Sequence, residues 1–176
     1  MKNLLILLLS LFAVSQMQAQ KTLVTYYSHS GKTEKVAKII AQELDANLYK
    51  IEAEEPYTND DLNWRNPNSR NSIESKDPNA RPALADKKAK IEKYDIIYIG
   101  YPIWDNQCPR LINSFIEAYK FEGKKVFLFA TSGGSTIDNS VKVLQKTYGE
   151  KLPISGSKLL NSDELTARNW AKGNKK

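Results

Sequence analysis

Tyr26-Tyr27-Ser28-His29-Ser30-Gly31-Lys32-Thr33 is the stretch on which the reading of this chain turns. An apolar run, Leu23 to Tyr27, leads into it as a buried strand. A helical period (Val36, Ile39, Ile40, Leu44) leaves it. A strand that feeds a helix through such a loop makes an anion site. The first helical N–H groups lack intrahelical partners, and the helix dipole favours negative charge there. Gly31 lets the backbone approach an anion, while Ser28, Ser30 and Thr33 bring hydroxyl donors. The plainer alternative is a turn in which Ser30 simply caps the helix. Gly31-Lys32-Thr33 also imitates the end of a nucleotide P-loop, but that motif needs glycine at position 26, which is Tyr. The dinucleotide fingerprint needs three spaced glycines and has only Gly31. A phosphate cup with one glycine and several hydroxyls remains.

Outward from this cup the chain alternates. A helix of about Lys32 to Leu44 is followed by a short strand, Asn47 to Ile51. From Glu54 to Pro82 an Asn-, Asp-, Ser- and Pro-rich excursion carries Tyr57 and Trp64 as isolated aromatics. Segments of that length either fold locally or serve a site. Ala83 to Lys93 reads as a lysine-rich helix. Asp95 to Gly100 is a continuous apolar strand of the kind covered on both faces. The loop Tyr101 to Pro109 follows, then a helix with Leu111, Ile112, Phe115, Ile116 and Tyr119 on one side. Lys125 to Ala130 is another buried strand, leading to Thr131-Ser132-Gly133-Gly134. A helix with Ser135 as N-cap carries the stripe Ile137, Val141, Leu144, Tyr148. Pro153 to Leu160 gives a last strand. A final helix, capped by Ser162, runs through Trp170 and stops at Gly173.

Alternation of this kind implies an α/β domain, a parallel sheet with helices on both faces and right-handed crossovers. In such sheets ligands bind beyond the carboxyl ends of the strands. Three loops leave those ends: 28–33, 101–109 and 131–136. They supply phosphate donors, a flat aromatic in Trp104, and small residues that let a planar group approach the main chain. Trp104 as core filler is the competing account.

The chain opens Met1-Lys2-Asn3, runs apolar from Leu4 to Val14 with only Ser10 interrupting, and closes with polar and small residues. This is the pattern of a secretory signal peptide over 1–20, cut after Ala19 or Gln20; a membrane span would need about 20 apolar residues. The rest, 21–176, fits one domain. An exported protein, periplasmic or secreted, without stable membrane insertion after cleavage, is expected. Net charge is +6, and removing Lys2 leaves +5. The lysines are scattered and not interleaved with aromatics, so nucleic acid is not an expected partner. Cys108 is the only cysteine, which excludes an intramolecular disulfide. One His, one Cys and no clustered carboxylates leave no metal site to expect. A Cys108–His29 dyad would lack an orienting third group. At a predicted helix start the Cys108 thiol is either depressed in pKa or buried and inert.

The loops together resemble the flavodoxin family. Ser28-His29-Ser30-Gly31-Lys32-Thr33 looks like its hydroxyl-rich phosphate loop. Gly100-Tyr101-Pro102-Ile103-Trp104 with Cys108-Pro109 looks like the first flavin-ring loop of a bacterial flavodoxin-like subgroup. Thr131-Ser132-Gly133-Gly134-Ser135, with Asn139 and Ser140, looks like its second, and Ala80-Arg81-Pro82-Ala83 like the end of its excursion. The resemblance implies a flavodoxin-like three-layer sandwich, a five-stranded parallel sheet of order 2-1-3-4-5, and FMN as cofactor. It implies phosphate binding at Ser28, Ser30, Gly31 and Thr33, with main-chain N–H groups from His29 and Lys32. Ring contacts go to Pro102, Ile103, Trp104, Asn106, Thr131, Ser132, Gly133 and Gly134.

The departures from the pattern carry their own expectations. Asp105 and Asn106 stand where the subgroup commonly shows Trp-Gly. The Asp105 carboxylate would lower the flavin potential if it pointed inward, and facing water is the alternative. Lys32 replaces a usual Asn, either pairing with phosphate or solvated. The third loop lacks an aromatic, so one ring face is open; Trp64 or Tyr57 is expected over or beside it. The implied function is FMN-dependent electron transfer to a redox partner protein, or reduction of a small quinone-like substrate. The alternative is a flavodoxin-fold binding module that has lost FMN.

Overall fold

In the computed structural model, which describes residues 20–161 and 163–174, five strands form one parallel sheet of order β2-β1-β3-β4-β5. The strands are β1 (Thr22–Tyr26), β2 (Asn47–Lys50), β3 (Ile96–Pro102), β4 (Lys125–Thr131) and β5 (Ile154–Leu159). The helices are α1 (Lys32–Leu44), α2 (Arg70–Lys76), α3 (Arg110–Glu117), α4 (Asp138–Tyr148) and α5 (Glu164–Gly173). This is the flavodoxin-like α/β sandwich expected from the sequence.

Strand periodicity divides the core in two. Val24, Tyr26, Tyr98 and Phe129 point to one side and pack with Val36 and Ile40 of α1 and Ala167 and Ala171 of α5. Leu23, Ile97, Ile99 and Leu128 point to the other, against Leu111, Ile112 and Phe115 of α3 and Leu144 of α4. The near-continuous apolar reading of β3 and β4 follows from this double burial. Gly100 pairs in register with Phe129, whose fully buried ring occupies the space a Gly100 side chain would need.

Two local expectations need correction. Ala83 to Lys93 is not a helix. Glu54 N–H donates to Ala83 O and Ala85 N–H to Glu52 O, both at 2.9 Å, so residues 83–85 pair antiparallel beside the sheet edge. Only a 3-10 turn at Ile91–Lys93 remains, entered through Lys90 at φ 49°. The stretch has lysines but no apolar stripe, so backbone pairing decides its shape. The fourth helix starts at Asp138 with Ile137, not Ser135, at its N-cap, while the Ser132 side chain holds the Ser135 amide in the loop before it. The Ser162 cap lies outside the described residues; Asp163 caps α5, accepting from the N–H groups of Leu165 and Thr166. The leader also lies outside the described residues. Finally, the excursion is built: a 3-10 turn at Asp60–Leu62 packs on α2.

Candidate functional site

Strand order reverses between β1 and β3, and the loops after β1, β3 and β4 leave the sheet side by side. Gly31, at φ 82°, turns the chain into α1. The helix N-cap is therefore a residue without a side chain, and no side-chain hydrogen bond closes the first turn. The capping alternative for Ser30 is excluded. The amides of Lys32, Thr33 and Glu34 precede the first i→i−4 bond, made by Lys35 N–H to Gly31 O at 3.0 Å, and are free for an anion.

The second loop is a tight hairpin. Trp104 and Gln107 exchange both main-chain hydrogen bonds, at 2.9 and 3.0 Å, across Asp105 (φ 46°) and Asn106 (φ 60°). Two positive φ angles in succession suit Asp and Asn, which tolerate the left-handed region. The third loop is organised by Ser132, whose Oγ accepts from the amides of Gly134 (3.2 Å) and Ser135 (2.8 Å). The Ser132 amide itself donates to Asn161 Oδ1 at 2.8 Å. Two bonds join the loops. Ile103 N–H donates to Thr131 O at 2.8 Å, and the buried hydroxyls of Thr33 and Thr131 lie 2.8 Å apart.

Between them is a cleft of about 300 Å³ lined by Ser30, Lys32, Pro102, Ile103, Trp104, Thr131, Ser132, Gly133 and Asn161. Residues from all three loops thus face one cavity. Thr33 lies beneath it through its bond to Thr131, and Gly31 shapes its entry. Asn106 is exposed in the turn, its carbonyl accepting from Asn139 Nδ2 at 2.8 Å. Ser28 and His29 line a neighbouring cavity on the β2 side, about 340 Å³, with Tyr27, Ile51 and Tyr57. His29 Nε2 shares a hydrogen bond with Asn59 Oδ1 at 2.9 Å. Asn161 escaped the sequence reading. The only signal for it was topological: the fifth strand also ends on this side of the sheet.

The excursion supports the second loop from behind. Tyr57 meets Trp104 edge-on, centroids 5.2 Å apart, and Tyr27 meets it at 5.5 Å. Arg70 lies 4.0 Å over the Tyr57 ring and pairs with Glu74, which accepts from the Tyr57 hydroxyl. Burial first, then Glu74, pushes the Tyr57 hydroxyl far above its ordinary pKa. Tyr57 is thus beside Trp104, in a second layer and outside the cleft lining. Trp64 is 68% exposed with Arg65 stacked on it, and does not line the cleft. Asp105 points neither into the cleft lining nor freely into water; its carboxylate is held by Ser75 Oγ at 2.6 Å and Asn71 Nδ2 at 3.4 Å.

Cys108 is buried, its nearest polar partner Asn113 Oδ1 at 4.0 Å. Burial pushes its thiol up to about 12, so the depressed-thiol alternative fails and the inert one holds. With His29 on Asn59, no dyad forms. A measurable consequence follows. Cys108 stays protonated in the fold until about 12, against an ordinary value of 9.0, and burial also raises Tyr98 and Tyr148 from 10.0 to about 12. The folded chain binds more protons than the unfolded one across this window. Stability is therefore fully present below pH 9 and falls as pH climbs from 9 to 12. Urea midpoints measured at pH 8, 10 and 11 should decline in that order, and a flat profile would contradict the burial of these groups.

A doubly wound sheet whose crevice combines an uncapped helix start with a flat aromatic wall defines the flavodoxin-like class of α/β protein. The chain belongs to the flavodoxin family, whose sequence profile matches residues 21–174. It is similar to a candidate flavoprotein from Bacteroides eggerthii, with 46% identity and a TM-score of 0.83, covering 88% of this chain and 97% of that one. A candidate flavoprotein from Bacteroides uniformis matches with 44% identity and a TM-score of 0.84, covering 88% and 99%. A Lactobacillus acidophilus flavoprotein, solved in complex with FMN, shares the fold at 22% identity and a TM-score of 0.62, covering 86% and 99%.

Proposed function

We propose that this chain binds FMN in the three-loop cleft and works as a small redox protein. The observation that carries the reading is the pairing, in one cavity, of an uncapped α1 N-terminus with the Trp104 wall. The residues fit the group. Ser28 Oγ is buried without a hydrogen-bond partner, as a hydroxyl awaiting an acceptor would be. Gly133 has open space where a side chain would stand. The FMN-bound relative from Lactobacillus acidophilus lends the cofactor's identity support.

Ser30, Lys32 and the first-turn amides would hold the phosphate, with Ser28 and Thr33 completing the cup. Pro102, Ile103 and Trp104 would flank one side of the flat ring, and Thr131 to Gly134 its other side and edge. Bound FMN supplies one- and two-electron transfer. The protein would orient it, with Trp104, which lines the cleft, shielding one side from water. No aromatic stands in Thr131-Ser132-Gly133-Gly134, so the ring side toward that loop would lack an aromatic cover. That favours a reductase of small quinone-like acceptors over a carrier that meets its redox partner protein only at the ring edge. Residues 1–20 fit an export signal, which supports a site of action outside the cytoplasm.

Titrating the apo protein, residues 21–176, with FMN tests the cofactor: saturable one-to-one binding with quenched flavin fluorescence is expected. No binding by a folded protein would end the proposal. With FMN loaded, NAD(P)H oxidation that depends on added quinone separates reductase from carrier.

A further inference from the structure

We propose that Ser75, on α2, is a positioning residue for the flavin ring; the inference rests on the FMN reading above. Asp105 and Asn106 have no side-chain packing to fix their turn: both are exposed, and only two main-chain bonds close it. What anchors it is external: Asn139 Nδ2 donates to Asn106 O at 2.8 Å, and α2 supplies the rest. Ser75 Oγ–H donates to Asp105 Oδ2 at 2.6 Å, a charge-assisted bond, and Asn71 adds a longer one at 3.4 Å. Gln107, at the far end of the turn, donates through Nε2 to Ser75 O at 2.8 Å. One residue therefore grips the turn at both ends, through its hydroxyl and its carbonyl.

Ser75 is itself held. Arg110, buried at the start of α3, donates to Glu74 O at 3.0 Å and to Ser75 O at 2.9 Å. Those carbonyls belong to the last turn of α2, where Asp77 N–H reaches Glu74 O at 3.2 Å and no backbone donor reaches Ser75 O among the described residues. The guanidinium thereby welds α2 to the helix that follows the turn. Tyr57 completes the support by packing edge-on against Trp104. The expected consequence is specific. Trp104 is half-buried and lines the cleft, so its orientation depends on the turn that Ser75 grips. Losing the grip loosens the ring wall and leaves the phosphate cup, on a different loop, untouched.

The experiment compares wild type, Ser75→Ala and Ser75→Thr as apo proteins. Three probes are titrated: FMN, riboflavin and inorganic phosphate, the last by competition with FMN. Ser75→Ala should weaken FMN and riboflavin by the same factor, about tenfold, the equivalent of one charge-assisted bond. Its phosphate affinity should equal wild type, and Ser75→Thr, which keeps the hydroxyl, should restore both flavins. Without any ligand, amide hydrogen exchange at Trp104 and Gln107 should quicken in Ser75→Ala while α1 and β3 stay protected. Equal flavin affinities in Ser75→Ala and wild type overturn the proposal. So does a parallel loss of phosphate affinity, which would report general damage, or a failure of threonine to rescue. If wild type itself binds no flavin, the FMN reading falls instead, and the exchange result still decides whether Ser75 holds the turn.

Discussion

Apo protein is expected to bind FMN about a thousandfold more tightly than riboflavin. The two ligands share the ring and ribityl chain and differ only in the phosphate, so the ratio isolates the cup at 28–33. Hydrogen bonds to a charged group contribute about 1.5–3 kcal/mol each. Two of them, from the free first-turn amides behind Gly31, already reach about 4 kcal/mol, which is three decades in affinity. Lys32 lines the cleft and adds a screened attraction. The ratio should therefore shrink several-fold in Lys32→Gln, and shrink again when salt is raised from 50 to 500 mM. Fluorescence titration of both ligands at both salts measures it. Equal affinities would mean that the phosphate does not occupy the α1 start.

Gly100→Ala should carry the largest loss of stability, about 3 kcal/mol, at the upper end of what overpacking a core costs. An added methyl would overlap the ring of Phe129, which is fully buried. Relief must come from the backbone, and Gly100 O accepts from Tyr27 N–H at 2.9 Å, one residue before the phosphate loop. The substitution should thus lower the urea midpoint and weaken FMN together. In the double variant Gly100→Ala/Phe129→Leu the second change removes the overlap, so the pair should be less destabilised than the sum of the singles. A Gly100→Ala midpoint equal to wild type would contradict the packing of Phe129 on Gly100.

The sheet and the cleft were legible because their signals are local. Ile96 to Gly100 and Val126 to Ala130 are apolar on both faces, and the loops that follow them carry their chemistry in consecutive residues. Topology then brings Ser30, Trp104 and Ser132 to one cavity. What was not legible depends on partners far along the chain. α2 carries one apolar residue, Ile73, and it is 56% exposed, so no period marks the helix. Its last turn is tied down by Arg110, 35 and 36 residues away from its carbonyl partners Ser75 and Glu74. Asp105 shows the same limit. Its residue type invited a choice between ring and water, and the structure gives its carboxylate to Ser75, 30 residues earlier. Ala83 to Lys93 misled for the opposite reason: helix-forming composition gave way to two main-chain bonds with residues 52 and 54.

The hydroxyl pair Thr33–Thr131 spans 98 residues and ties the floor of the cup to the end of the fourth strand. On the proposed reading, a growing polypeptide could not retain FMN until that strand had emerged and docked, so loading would be a late event in biogenesis. Free FMN would then have to be supplied in the compartment where the chain finishes folding.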